Sequence, residues 1–350
     1  MLADGLLVEC GRGASTGGRR SMHLSPGGVD VAVLAGADID TDGASVAITT
    51  LDGSVVGAER VITSAADPKR TLALVVRMLK RCLPQERGPL VALGVSVPGD
   101  IDPATGVIAS APTLPRWVGL SIGAEFAGRV GVRTYVDNDV NVLALAEATL
   151  PAAERVLDDT FLVVEITSGV GCGIVIDGVV FRGSSGVAGD IGHIAVDPSD
   201  GTLCACGNRG CLEAIASAPA IIQAASALGH DGESVTLETI SHSAQAGSPE
   251  VCSLLRTVGG HLGFVLAGLV SFFNPAAVIL RSGIPGGEEL LLNAVRQRIY
   301  ERSLPASTRR LQVLPSRLGE GAGALGAAIL AGQGFLGMAG SVPESRPTRQ

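Results

Sequence analysis

Twice along the chain, two short β-type runs meet at an Asp-Gly turn and lead on into sequence of helical period, and this repeated order restricts the fold most. The first pair is Val46–Thr50 and Ser54–Val56 around Leu51-Asp52-Gly53; the second is Cys172–Ile176 and Val179–Phe181 around Asp177-Gly178. Asp-Gly between apolar runs is a strong local hairpin signal, because the turn needs residues that accept positive φ. Strands are expected at Val31–Ala35, Val91–Val97, Phe161–Ile166 and Ala277–Leu280. Helices are expected from Asp67, a cap followed by Pro68, and over Asp139–Leu150, Ala218–Leu228, Glu250–Phe273 and Gly321–Gly332. Hairpins followed by helices, occurring twice, imply an α/β protein of two similar lobes with a cleft between them.

The core of such a chain must be aliphatic, since hydrophobic residues make up 46% and aromatic residues only 3% of the 350 residues. The formal net charge of −8 excludes the chain as a whole from binding polyanions. Its basic residues concentrate at Arg12, Arg19, Arg20 and His23, either a solvated leader or a local nucleic-acid contact. No charged n-region runs into an apolar stretch at Met1, and the most membrane-like run, Leu262–Phe273, is too short to span a bilayer. A soluble, cytoplasmic protein with no membrane partner is the expectation.

Seven cysteines are present, and three of them crowd into Cys204-Ala-Cys206-Gly-Asn-Arg-Gly-Cys211, preceded by Gly192-His193. Three thiolates and one imidazole complete a tetrahedral Zn2+ shell, leaving no open position for water, so the site reads as structural. Buried free thiols or a Cys-x-Cys redox pair are the plainer alternatives. Cys10, Cys82, Cys172 and Cys252 read as packing residues.

Gly189-Asp190-Ile-Gly-His193 followed by Cys204-x-Cys206-Gly-Asn-Arg-Gly-Cys211-Leu-Glu213 resembles the signature of the ROK family (repressors, open reading frames and kinases). Leu93–Gly99, Ser110–Pro115, Asp137-Asn138-Asp139-Val-Asn141, Asn274-Pro275 and Gly323–Ala328 match it in order and spacing. The resemblance runs from Val29 to Gly332 and implies a two-lobed, actin-like (ribonuclease H-like) fold. It divides the chain into 29–136 plus 320–338 as a small lobe and 137–319 as a large lobe with the zinc loop. Residues 1–28 are expected to be the remnant of a winged-helix DNA-binding domain, its wing, or a basic leader, and 339–350 a disordered tail.

The resemblance also implies a sugar or sugar phosphate as ligand, with Asn138, Asp139, His193 and Glu213 meeting its hydroxyls. Asp190 stands where the family usually carries Glu, and Thr113 where Asn is frequent; either difference can change which sugar fits. Asp137-Asn138-Asp139 also suits a helix N-cap, and the two roles are compatible. His193 would give one ring nitrogen to zinc and turn the other to the sugar.

In ROK kinases Asp139 would be the general base, with ATP and Mg2+ held by an Asp-x-Gly-Gly-Thr-Lys turn. This chain has Asp38-Ile-Asp40-Thr-Asp42-Gly43 there. A like-charge contact at 4 Å costs ~4 kcal/mol at an effective dielectric near 20, so ATP is not expected. Thr167-Ser168-Gly169 and Arg281-Ser282-Gly283 depart from the other two nucleotide turns. Leu2–Glu9, Gly11-Arg12-Gly13 and Ser15–Arg20 resemble the wing closing a winged helix-turn-helix, with Arg12, Arg19 and Arg20 as DNA-contact candidates. The reading helices would precede Met1, so DNA is reached only through a region mostly outside this chain.

The leading expectation is the sugar-sensing part of a homodimeric transcriptional regulator. The alternatives are a sugar kinase for a hexose or N-acetylated amino sugar, using Asp139, and a sugar-binding protein with neither role.

Overall fold

The computed structural model describes residues 6–12, 22–102, 105–149, 160–197, 201–228, 235–284 and 288–338. Arg19, Arg20, the expected helix end at Leu150-Pro151 and the tail 339–350 lie outside them. The chain forms two units, Met1–Ala146 with Gly319–Gln350, and Glu147–Leu318.

The first unit begins with an antiparallel hairpin, β1 (Leu7–Arg12) against β2 (Met22–Pro26), whose register runs from Leu7 opposite Pro26 to Arg12 opposite Met22. Next come β3 (Val33–Asp40), β4 (Gly43–Thr50) and β5 (Val55–Ile62), an antiparallel meander. Gly53, at φ 89°, supplies the left-handed residue that turn needs. Helix α1 (Pro68–Cys82) starts as its sequence predicts: the Asp67 carboxylate accepts from the Lys69 and Arg70 N–H groups. Leu72, Val75, Met78 and Leu79 are buried on its inner face.

Strand β6 (Leu90–Val97) lies parallel to β3, and a small hairpin of β7 (Asp100–Ile101) and β8 (Ile108–Ser110) follows it. Helix α2 (Ile122–Val130), β9 (Arg133–Asn138) and α3 (Asp139–Ala148) complete this stretch. The sheet order is β5-β4-β3-β6-β9.

The second unit repeats it. Strands β10 (Phe161–Ile166), β11 (Val170–Ile176) and β12 (Val179–Val180) form the meander. Asp177 and Gly178, at φ 51° and 75°, make the turn the Asp-Gly pair predicts. Helices α4 (Leu212–Ala216), α5 (Ala218–Ser226), α6 (Leu237–Gln245) and α7 (Pro249–Phe273) lead to β13 (Ala277–Ser282), parallel to β10. Helices α8 (Glu288–Arg302) and α9 (Pro305–Thr308) precede β14 (Gln312–Pro315). The order β12-β11-β10-β13-β14 is that of the first sheet, strand for strand. Two such units in one chain are the actin-like, ribonuclease H-like α/β fold.

The last element, α10 (Ala322–Leu336), returns to the first unit. Its small residues press on the sheet backbone: a Cβ on Gly36 would enter the Ala324 carbonyl oxygen, and one on Gly94 the Ala327 carbonyl oxygen. Gly326 meets the Val142 carbonyl in the same way, tying α3 to α10. The units therefore change over at Ala146, ten residues later than a boundary before Asp137-Asn138-Asp139 would place it. Among the described residues α7 is the one helix long and apolar enough to cross a membrane. Half of its apolar window is buried inside the second unit, where Leu255, Val258, Leu262 and Leu266 join the core.

Candidate functional site

In the second unit the sequence between β12 and α4 has few apolar residues to order it. Glycines at positive φ and short bridges fold it instead: Gly207 (φ 89°) and Gly210 (φ 70°) turn the chain, and Ala195 pairs with Cys211. The result gathers His193, Cys204, Cys206 and Cys211, with one ligand atom from each lying within 4.8 Å of all the others. The Cys206 and Cys211 sulfurs are 3.8 Å apart, too far for a disulfide, and Cys204 Sγ lies 3.5 Å from His193 Nδ1. A tetrahedron with metal–sulfur bonds of about 2.3 Å and metal–nitrogen bonds of about 2.0–2.1 Å has edges of about 3.8 Å and 3.6 Å. The donor set and its spacing fit a metal ion.

Burial raises Cys204, and burial together with the neighbouring thiols pushes Cys211 to about 12. The Asn208 backbone lowers Cys206. Cys172, by contrast, is wholly enclosed and pushed up to about 12 by burial alone, as a packing thiol should be.

The imidazole's second nitrogen, Nε2, faces Asp190 Oδ1 at 3.9 Å. Glu213, in the first turn of α4, brings its carboxylate alongside: Oε1 is 4.0 Å from Cys204 Sγ and Oε2 accepts from the Val170 N–H at 3.4 Å. A side chain at Gly169 would come within 2.8 Å of Glu213 Oε2, so glycine there keeps the carboxylate's seat open. Asp190, His193 and Glu213 thus form one polar group against the metal-ligand set. All three lie in the second unit.

Asn138 and Asp139 belong to the first unit, where β9 hands over to α3. The Val140 N–H donates to Asn138 Oδ1 at 3.0 Å and Asp139 Oδ1 at 2.8 Å, and Asn138 Nδ2 donates to the Gly99 carbonyl at 2.9 Å. Asn138 thus serves as a cap for α3. Burial raises the Asp139 carboxyl to about 7, opposed by the Val140 N–H and assisted by the nearby charge of Asp38. Asp38 is itself fixed by the Ser96 hydroxyl, which donates to Oδ1 at 2.6 Å. Thr113 lies in the turn after β8, in the same unit.

The turn between β3 and β4 carries the acidic substitution. Asp40 Oδ1 accepts the Asp42 N–H at 2.7 Å, so the amide is paired within the turn. Sequence reasoning missed Arg60, which reaches from β5 to 3.5 Å from Asp40 Oδ2 and offsets one of the two extra charges. It also missed the tether on Arg281. That side chain lies 3.4 Å from Glu165 Oε1 and donates to the Leu318 carbonyl at 2.8 Å. No spacing rule exposes either pair, because the partners come from neighbouring strands or distant loops.

Two actin-like sheets of identical order, with a group of one histidine and three cysteines beside a polar cluster in the second, define a class of sugar kinases and their regulatory relatives. The chain belongs to the ROK family, whose model matches residues 34–334. It is 31% identical to a xylose repressor of Caldicellulosiruptor bescii, over 93% of this chain and 84% of the repressor. Among solved structures it resembles a ROK family transcriptional regulator homologous to the Escherichia coli MLC protein. That match has a TM-score of 0.80 and 25% identity, covering 95% of this chain and 86% of the regulator. It also resembles a ROK family glucokinase from Streptomyces griseus in complex with glucose and AMPPNP, with a TM-score of 0.74 and 28% identity over 86% of this chain and 99% of the glucokinase.

Proposed function

We propose that this chain is the sugar-sensing effector region of a ROK-family transcriptional regulator and does not turn over ATP. The observation that carries the proposal is the β3–β4 turn, whose Asp42 amide is consumed by the Asp40 carboxylate. A phosphate approaching that amide would have to displace one anion and face another. The extent of the likeness supports the same reading. The regulator's match covers 95% of this chain, against 86% for the glucokinase.

The sugar-recognising groups are Asn138 and Asp139 in the first unit, with Thr113 near the ligand, and Asp190, His193 and Glu213 in the second. Carboxylates and a fixed imidazole suit hydroxyl recognition, because a competitor lacking the matching hydroxyl leaves them unpaired. His193, Cys204, Cys206 and Cys211 would hold Zn2+, which in a closed four-ligand shell orders the loop and takes no part in chemistry. Arg12, Arg19 and Arg20 would meet DNA phosphates, and the working form would be a homodimer in the cytoplasm. The test is calorimetric titration of the purified chain with xylose, glucose and N-acetylglucosamine, each with and without Mg-ATP. Sugar binding indifferent to nucleotide is expected; steady phosphorylation of any of them would sink the proposal.

One observation favours the kinase reading. A carboxyl raised to about 7 is tuned as a general base near neutral pH. If turnover exists, Asp139→Asn abolishes it while leaving the sugar titration measurable.

A further inference from the structure

Helices α7 and α8 pack closely because Gly259 and Gly263 leave no side chain between them. A Cβ on Gly259 would fall 2.7 Å from Ala294 Cβ, and one on Gly263 2.7 Å from Arg298 Cβ. This approach lays a row of α7 side chains beside the last turns of α8. Ser253, Thr257 and His261 form one row at four-residue steps and Arg256, Gly260 and Phe264 a second row beside it, so the six share one face of α7. Arg298 and Arg302, four residues apart, supply the α8 side. Together with Val196 they line a groove of about 490 Å3 that lies wholly within the second unit.

The charge in this groove is unusual for a chain of net charge −8. Three guanidiniums and an imidazole line it, with two hydroxyls, and no carboxylate is among the lining residues. Among the described residues only Arg298 of the three arginines has an acidic neighbour, Glu301 Oε2 at 3.4 Å. Arg302 lies instead over the Phe264 ring, 4.6 Å from its centroid, which fixes the guanidinium without neutralising it. Arginine forks gathered around hydroxyl donors match the oxygens of a phosphate group. The volume falls in the range of small-ligand clefts, and the Phe264 face offers apolar contact beside the anion.

We propose that this groove is a binding site for a small phosphomonoester, separate from the sugar-recognising residues. Arg256, Arg298 and Arg302 hold the phosphate, Ser253 donates to it, and Phe264 borders the organic portion, while the Thr257 hydroxyl keeps its bond to the Ser253 carbonyl at 3.0 Å. Val196 places the ligand against the metal-binding loop: its N–H donates to the Gly210 carbonyl at 2.9 Å, next to Cys211.

The experiment is titration calorimetry on the full chain with inorganic phosphate, glucose 6-phosphate and glucose, repeated on Arg256→Gln/Arg298→Gln and, separately, on Glu213→Gln. Both arginines are exposed, so the double variant is expected to fold, and its thermal midpoint checks this. The expected result is a loss of about tenfold or more in affinity for both phosphates in the arginine variant, with glucose binding unchanged. Glu213→Gln should weaken glucose and leave inorganic phosphate untouched. Phosphate affinity equal in the arginine variant and the wild type overturns the proposal. So does glucose 6-phosphate binding that fails only in Glu213→Gln. Failure of glucose binding alone speaks against the sugar-sensor reading and leaves this site standing.

Discussion

The two units share a sheet order but are stabilised by different means. In the first, α10 lies so close to the sheet that glycines at 36 and 94 meet its carbonyl oxygens. In the second, an aliphatic core of α7 and α8 carries the sheet, and the long loop before α4, turned by glycines, gathers His193 with three cysteines. Their first hairpins differ as well. Asp40 takes the amide of the β3–β4 turn from within the turn itself, whereas at β10–β11 the Val170 amide is taken by Glu213 from another element. One topology places a turn at the same point twice; the neighbouring side chains decide what that turn can bind.

Metal removal should separate the units most sharply. A closed Zn2+ shell contributes on the order of 10 kcal/mol in small metal-dependent modules, and less where a core already exists. Cys206→Ser, or strong chelation, should remove the metal and destabilise the second unit by several kcal/mol, read by metal analysis and denaturant unfolding. Unchanged metal content in the variant would break the comparison. In the first unit Gly94→Val should cost about 3 kcal/mol or more, since the added atoms meet backbone that cannot yield. Equal unfolding midpoints for variant and wild type would show that the packing of α10 is looser than described.

A smaller effect sharpens the contrast electrostatically. The Asp139 carboxyl is raised above its unfolded value, so its contribution to stability is complete below about pH 4 and is lost as pH rises through about 7. Asp139→Asn should then leave stability near pH 4 unchanged and increase it at pH 8 by roughly 1–2 kcal/mol, less than the full shift because surrounding groups and water relax around the charge. Thermal melts at the two pH values check this. Smallest is Asp67→Ala, which removes the cap of α1 and should cost about 1 kcal/mol by denaturant unfolding.

Much of this was readable from local sequence. Both hairpins, the Asp67 cap, strand Phe161–Ile166 and helix Pro249–Phe273 are set by turn residues and periodicity acting over a few positions. The group that could hold a metal was legible because three cysteines sit within eight residues, with the histidine nearby. Helix α8 was not, since its sequence holds charged residues through the middle and its buried face is only Leu291, Leu292, Val295 and Ile299. Arg60 beside Asp40 and Arg281 beside Glu165 arise from strand pairing, which no single segment encodes. The arginine groove was equally invisible, because it depends on how closely two helices approach.

At the centre stands the proposal that the β3–β4 turn, its Asp42 amide paired with the Asp40 carboxylate, no longer takes a nucleotide's phosphates. Calorimetry of Mg-ATP binding, on wild type and on Asp40→Gly/Asp42→Thr, tests it most directly. No heat of binding in the wild type, with weak binding recovered in the variant, is the predicted result. Wild-type binding of Mg-ATP at ordinary kinase affinity, accompanied by transfer to a sugar, would contradict it.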